Sequence, residues 1–307
     1  MQYAGRVSGA DAELAIEREG LRLGSRFLDF ADVKTLRPVN HRVQICTLSG
    51  EEIEISMLGF SFDGFWEELM TCFSDRSLEA LFVEEKELMR TEGDYQTPLE
   101  SGRAKIALYG DAVCILPQTM NAVRIPLCFA REIRLDGYRL TISLETGAEY
   151  TVARMGYDTK PFAERAHAAS ALVKKERAAA QAKLRAEAPF TETGLFRTQT
   201  PDRYWLAAFG KGVCAVELNT GDDAATYLYR FPETEQVFLR QLELAMEAMG
   251  PHREIIYWTD EQLGGKPLYR MAVQRCAAVT FLRDRAAGRL IHSANHAERL
   301  RSFLEQA

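Results

Sequence analysis

Residues 50–69, GEEIEISMLGFSFDGFWEEL, alternate apolar and polar positions as far as Met57 and then change period, with Phe62, Phe65, Trp66, Leu69, Met70 and Phe73 spaced by three and four. The first pattern is that of a half-buried strand, the second that of a helix with a wide apolar stripe. The programme returns at residues 147–166, GAEYTVARMGYDTKPFAERA, without a gap. Gly50 falls on Gly147, Ile53 on Tyr150, Ile55 on Val152, Leu58 on Met155, Gly59 on Gly156, Phe60 on Tyr157 and Phe65 on Phe162. What recurs is a supersecondary unit, strand then bend then helix, and such a repeat speaks about architecture before it speaks about chemistry.

Upstream of the first copy, short alternating segments at residues 14–17, 21–23, 26–30, 33–36, 43–48 and 52–57 are separated by turn residues, as a meandering antiparallel sheet requires. Residues 1–11 are small and polar and are expected to fray, so order is expected from Ala12. A helix capped by Asp63 and a second helix over 77–90 follow, then a loop over 91–100. The second copy repeats the strands at 105–108, 113–117, 122–127, 130–135, 138–144 and 149–154. It is longer than the first in the segment Pro117 to Ala122.

The helix of the second copy is expected to run on. From Phe162 to Glu187 there is no glycine, Ala, Lys, Arg and Glu dominate, and Pro189 ends the run. Its large apolar side chains are few (Phe162, Leu172, Val173, Leu184), too few for a coiled-coil seam, so a helical strut is the simpler reading. Residues 190–307 form a third part. Strands are expected at 204–209, 213–218 and 226–231, a helix at 233–249, a strand at 254–258, a short helix at 260–263, and helices over about 271–285 and 294–306. In YLYRFPETEQVFLRQL, Phe238 follows Phe231 as Phe65 follows Leu58, which suggests an incomplete third copy.

Six or seven short strands closed by an amphipathic helix resemble the bacterial pleckstrin-homology-like domains. So does the junction carried by Leu58-Gly59-Phe60 with Phe65-Trp66-Glu67-Glu68-Leu69, and by Met155-Gly156-Tyr157 with Phe162-Ala163-Glu164. The resemblance covers residues 12–75 and 103–170. It implies an α+β, mainly β, chain of two tandem antiparallel barrels, each closed by a C-terminal helix: domains at 12–90 and 101–170, a helical linker at 171–189, and an α+β domain at 190–307. Phe65, Trp66, Leu69 and Phe162 are then the plug of each barrel mouth. Members that bind phosphoinositides carry clustered Lys and Arg between their first two strands. Here the corresponding loops read Glu17-Arg18-Glu19-Gly20 and Tyr109-Gly110-Asp111, whose carboxylates would repel a phosphate.

Composition changes this picture little. The formal net charge is −6, which gives no support to a general affinity for nucleic acid, and no apolar run is long enough to span a bilayer. Without a secretory layout at its start the chain is placed in the cytoplasm. Six scattered cysteines form no C-x-x-C pair and read as reduced core side chains.

No phosphate loop or nucleophile elbow is present, and Gly210-Lys211-Gly212 precedes a strand, so it reads as a hairpin turn. His292 and His296 lie four apart, a spacing metals use, but Ser293-Ala294-Asn295 between them supplies no base; a capping pair is favoured over a metal site. Lys174, Lys175 and Arg177 make the one local basic run on the long helix, read as a solvated face or a contact to a partner, and Arg283 to Arg289 is likewise read as solvated. These readings point to a non-enzymatic scaffold or protein-interaction module with a protein partner, no cofactor and no nucleic acid. Two alternatives stand beside it. One is a small ligand held among Tyr204, Trp205, Tyr227, Tyr229, Tyr257, Trp258 and Tyr269 of the third part, for sensing or catalysis; the other is peripheral lipid binding through the repeated domains and the basic run.

Overall fold

The segment before Ala12, expected to fray, is strand from Gln2 onward. Strands β1 (Gln2–Val7) and β2 (Ala10–Ile16) pair across Ser8-Gly9, both at positive φ (47° and 92°), as a two-residue hairpin turn needs. The computed structural model describes residues 2–183, 195–200, 203–219, 224–249, 252 and 254–305. The first sheet is completed by β3 (Gly20–Leu23), β4 (Arg26–Asp29), β5 (Val33–Val39), β6 (Arg42–Thr47) and β7 (Glu52–Ser56), in the order β4-β3-β2-β1-β7-β6-β5. The helix α1 (Phe62–Ala80) follows. Because β1 precedes the expected first strand, the acidic loop at Glu17 to Glu19 joins β2 to β3, not the first two strands.

The second sheet repeats this order. β8 (Glu87–Gln96), β9 (Ser101–Tyr109), β10 (Ala112–Leu116), β11 (Val123–Pro126), β12 (Ala130–Asp136), β13 (Arg139–Leu144) and β14 (Glu149–Ala153) run as β11-β10-β9-β8-β14-β13-β12, and α2 (Thr159–Lys183) comes next. β8 occupies residues expected to be helix and loop. Its Glu, Leu, Met and Arg are good helix formers, but nine-residue pairing with β9 and a second edge on β14 outweigh that weak preference.

The closed barrels implied by the resemblance are not formed. Both seven-stranded sheets are open, since their end strands, β4 and β5 or β11 and β12, do not pair. β1 meets β7 only over Arg6↔Ser56 and Val7↔Ile55, and β8 meets β14 over three pairs, so each sheet is a four-strand and a three-strand part joined at a narrow corner. A glycine stands at each corner. A Cβ on Gly93 would lie 2.5 Å from the Ala153 carbonyl oxygen, and one on Gly5 3.0 Å from that of Ser56. The free edge of β5 meets the Pro117 to Ala122 insertion instead of β4: Leu36 N–H donates to the Gln118 carbonyl and Met120 N–H to that of Lys34, both at 2.8 Å.

The expected plug residues lie at the cores. Phe65 and Leu69 are fully buried in the first unit with Phe62, Met70 and Phe73, and Trp66 packs half-buried at the margin. Phe162 is fully buried in the second, where α2 packs through the small residues Ala163, Ala166 and Ala169 as far as Val173, while Leu172 is exposed. Thus α2 is not a free strut up to that point, and its expected continuation through Leu184 to Pro189 lies outside the described residues. The aromatics of the repeated junction, Phe60 and Tyr157, are fully exposed, following Gly59 and Gly156 at φ 55° and 60°.

The third sheet is a five-stranded antiparallel one, β15 (Leu195–Thr200), β16 (Arg203–Gly210), β17 (Val213–Asn219), β18 (Ala224–Arg230) and β19 (Ala286–Leu290), in chain order. That order differs from the other two, so it is no third copy of them. Between β18 and β19 run α3 (Glu235–Met249), α4 (Glu254–Tyr257), α5 (Asp260–Gly264), α6 (Pro267–Arg275) and α7 (Ala277–Arg283). The segment expected as a strand at 254–258 is helical because Ile255 and Ile256 both bury in the helical layer. α3, α4 and α7 cover one face; α8 (His296–Glu305) covers the other with Leu300 and Phe303.

Phe65→Ala and Phe162→Ala are each expected to cost about 3–5 kcal/mol of unfolding free energy, and Gly93→Val about 1–3 kcal/mol through the clash with Ala153. Urea unfolding of the three variants measures this, and a neutral Phe65→Ala would contradict the place of α1 in the first core.

Candidate functional site

α1 does not end inside its own unit. Its last turns carry Leu78 and Leu81 onto the outward face of β9 and β10, against Ala107, Tyr109, Cys114 and Leu116. Past it, Phe82 (φ 54°) stacks on His252 at 3.8 Å between ring centroids, and Arg270 pairs with Asp32 at 3.1 Å. These contacts seat the third unit across the first two. Thr146 donates to Glu247 at 3.1 Å and closes the other side.

Enclosed by these contacts is a cleft of about 1080 Å³. One wall is the outward face of β11–β14, with Arg124, Arg134 and Arg139; Tyr150, which packs against the second core, also lines the cleft. The other is the α3 stripe Arg240, Gln241, Leu244, Glu247 and Ala248, joined by Arg275 and Cys276 between α6 and α7. The α3 spacing explains the wall: Phe238, Leu242, Ala245 and Met249 turn into the third core, which leaves the opposite stripe to face the second sheet. The volume stands at the upper end of small-ligand sites.

Arg275 sets the electrostatics of the cleft. Its guanidinium donates to the Ser77 carbonyl at 3.3 Å and to Ser77 Oγ at 3.1 Å, both neutral oxygens, and removal from water pulls it down to about 10. Burial pushes the Tyr150 phenol up to about 12, with Glu247 and Cys276 adding to the rise and Arg240 opposing it. The Cys276 thiol is likewise raised by burial. Arg124 is neutralised by Asp111. With Arg124 so paired, four arginines face three carboxylates (Asp136, Glu149, Glu247) along the cleft, a small positive excess in a chain that is net negative.

The other expected site residues fall elsewhere. Trp205, Tyr227 and Tyr229 are buried in the third core, Tyr257 stacks on Tyr227, and Trp258 packs on Tyr269, so these aromatics fill a core and do not line a pocket; the Tyr204 side chain lies outside the described residues. Arg177 is pinned to the second unit, donating to the Cys128 carbonyl at 2.8 Å and to Glu145 at 2.9 Å, with Phe129 beneath it, while Lys175 is exposed and Lys174 half-buried. Arg283 and Arg285 are also not solvated: they bind the Ile255 carbonyl and Asp260, and Glu233, respectively. His292 and His296 do come together, outside the cleft, and with them Glu217, 75 residues before His292 in the numbering and on β17. The cleft was missed because its walls come from three units; the one local signal was the second, cleft-facing stripe of α3. No helix among the described residues is long and apolar enough to cross a membrane. A scan of protein-family models and a search of curated proteins both match nothing to this chain.

All six cysteines are free; burial raises Cys114 and Cys128 to about 12 and raises Cys214 as well. A thiol reagent at pH 8 is therefore expected to titrate at most the half-buried Cys46, Cys72 and Cys276 in the native chain, and all six after unfolding. Rapid reaction of six thiols under native conditions would contradict this packing.

Proposed function

We propose that the chain is a binding module whose inter-unit cleft takes an amphipathic anion, an apolar body with a carboxylate or phosphate head. The observation that carries this reading is Arg275, a half-buried guanidinium on the cleft wall whose hydrogen bonds go to the neutral oxygens of one serine. An anion there would restore the charge pairing that burial removed, as a bidentate arginine contact does. The apolar lining, with Leu81, Leu99, Val123, Leu244 and Ala248, suits the body of such a ligand. With its thiol and phenol both raised by burial, the lining favours holding a ligand over attacking one.

A scaffold role for a protein partner is the second reading, and the exposed aromatics Phe60 and Tyr157, repeated at the same place in two units, favour it. The relation of both units to the pleckstrin-homology-like family draws support from their common strand order and the helix after the seventh strand. Peripheral lipid binding through the basic run is weakened, because Arg177 is already engaged by Glu145.

Titration calorimetry with decanoate and with decanol tests the cleft. Decanoate is expected to bind and decanol at least about tenfold more weakly, a difference that Arg275→Gln should abolish, in line with about 1.5–3 kcal/mol for a charge-assisted hydrogen bond. Equal binding of the two probes, or none, would overturn the proposal.

A further inference from the structure

On the face of the third sheet covered by α8, the run Val213, Ala215, Glu217 along β17 is apolar until its last member. Glu217 is buried there, and its cross-strand neighbour Thr226 is fully buried. Thr226 Oγ1 donates to one carboxylate oxygen of Glu217 and lies 2.8 Å from His296 Nε2. The other carboxylate oxygen lies 2.7 Å from His292 Nε2. The two imidazole rings are 4.2 Å apart, and the possible ligand atoms of all three residues lie within 4.8 Å of one another.

Three different elements supply this cluster. Glu217 comes from the middle of the sheet, His292 from the turn after β19 and His296 from the first position of α8. Burying a carboxylate is costly unless cations or hydrogen bonds replace its water, and here His292 and the Thr226 hydroxyl supply them, with His296 held beside them by the same hydroxyl. A divalent ion replaces it for all three at once. Ligand atoms around a tetrahedral zinc stand about 3.4 Å apart, so the groups need shift only by about an ångström to reach bonds of about 2.0–2.2 Å. Two nitrogens and one oxygen suit zinc or a neighbouring first-row metal and are a poor set for calcium or magnesium, which prefer oxygen.

We infer that Glu217, His292 and His296 form a binding site for a divalent transition metal, zinc by ligand type. Thr226 serves as the outer hydrogen bond that orients the carboxylate. The exposed side of His292 leaves the fourth position to a water. Binding exchanges the His292–Glu217 hydrogen bond for metal bonds to both residues, adds a third bond to His296, which now meets Thr226, and releases to solvent any proton on a ligating nitrogen. The ion then joins β17 to the helix that covers it. This site is independent of the cleft, whose lining includes none of the three residues.

Calorimetry of the full chain, stripped with a chelator and titrated with zinc chloride, is expected to give one equivalent bound. The cobalt form should show visible absorption of a tetrahedral nitrogen and oxygen set, without the intense near-ultraviolet band of thiolate ligation. Glu217→Gln and His296→Ala should each weaken binding at least about tenfold, while His41→Ala and His167→Ala leave it unchanged. Absence of heat from the unmodified chain would overturn the inference whatever the variants do, and so would a thiolate band or full binding by a folded double variant lacking both His292 and His296.

Discussion

One helix shared between two sheets holds the arrangement together. The first half of α1 buries Phe62, Phe65, Leu69 and Phe73 in the sheet that precedes it, and its end lays Leu78 and Leu81 on the sheet that follows. β9 and β10 are thereby covered on both faces, with Ile106, Leu108, Val113 and Ile115 turned to their own core and Ala107, Tyr109, Cys114 and Leu116 turned to α1. A strand buried on both faces reads as a continuous apolar run, as Ala112 to Leu116 does. The helix therefore fixes the distance between the repeated units, and everything built across them inherits that distance.

The cleft is the first consequence. Ser77, near the end of α1, accepts both hydrogen bonds of Arg275, so the helix that joins the two sheets also anchors the third unit. The insertion at residues 117–122 acts in the same sense: it caps the free edge of β5 with backbone hydrogen bonds and blunts an edge that would otherwise be open to another chain. The two copies thus differ where they meet one another, and the difference serves assembly within the chain.

The repeat also separates folding from surface chemistry. Phe65 and Phe162 are buried at matched positions, and the Gly-aromatic junction holds the same positive φ in both units, yet its aromatics point to solvent. An aromatic retained in both copies without a core to fill belongs to a surface, which is why it bears on partners and not on stability. In the third unit the balance is reversed, since the tyrosines and tryptophans that suggested a pocket supply its core.

The repeat, the two strand-to-helix units, their buried phenylalanines, the extra segment at residues 117–122 and the hairpin at Gly210 to Gly212 are all legible in the order of residues. Each of these is written in local period, in turn residues or in self-similarity, all of which act between near neighbours. It misread β1, β8 and the segment at 254–257, where short polar or helix-forming runs take their conformation from pairing and burial supplied by distant strands and helices. That the sheets stay open, that Arg275 faces a cleft made by three units, and that Glu217 joins His292 and His296 emerge from the packed chain alone. Those features depend on which residues meet across long separations, and no local pattern encodes a meeting between β17 and the end of the chain.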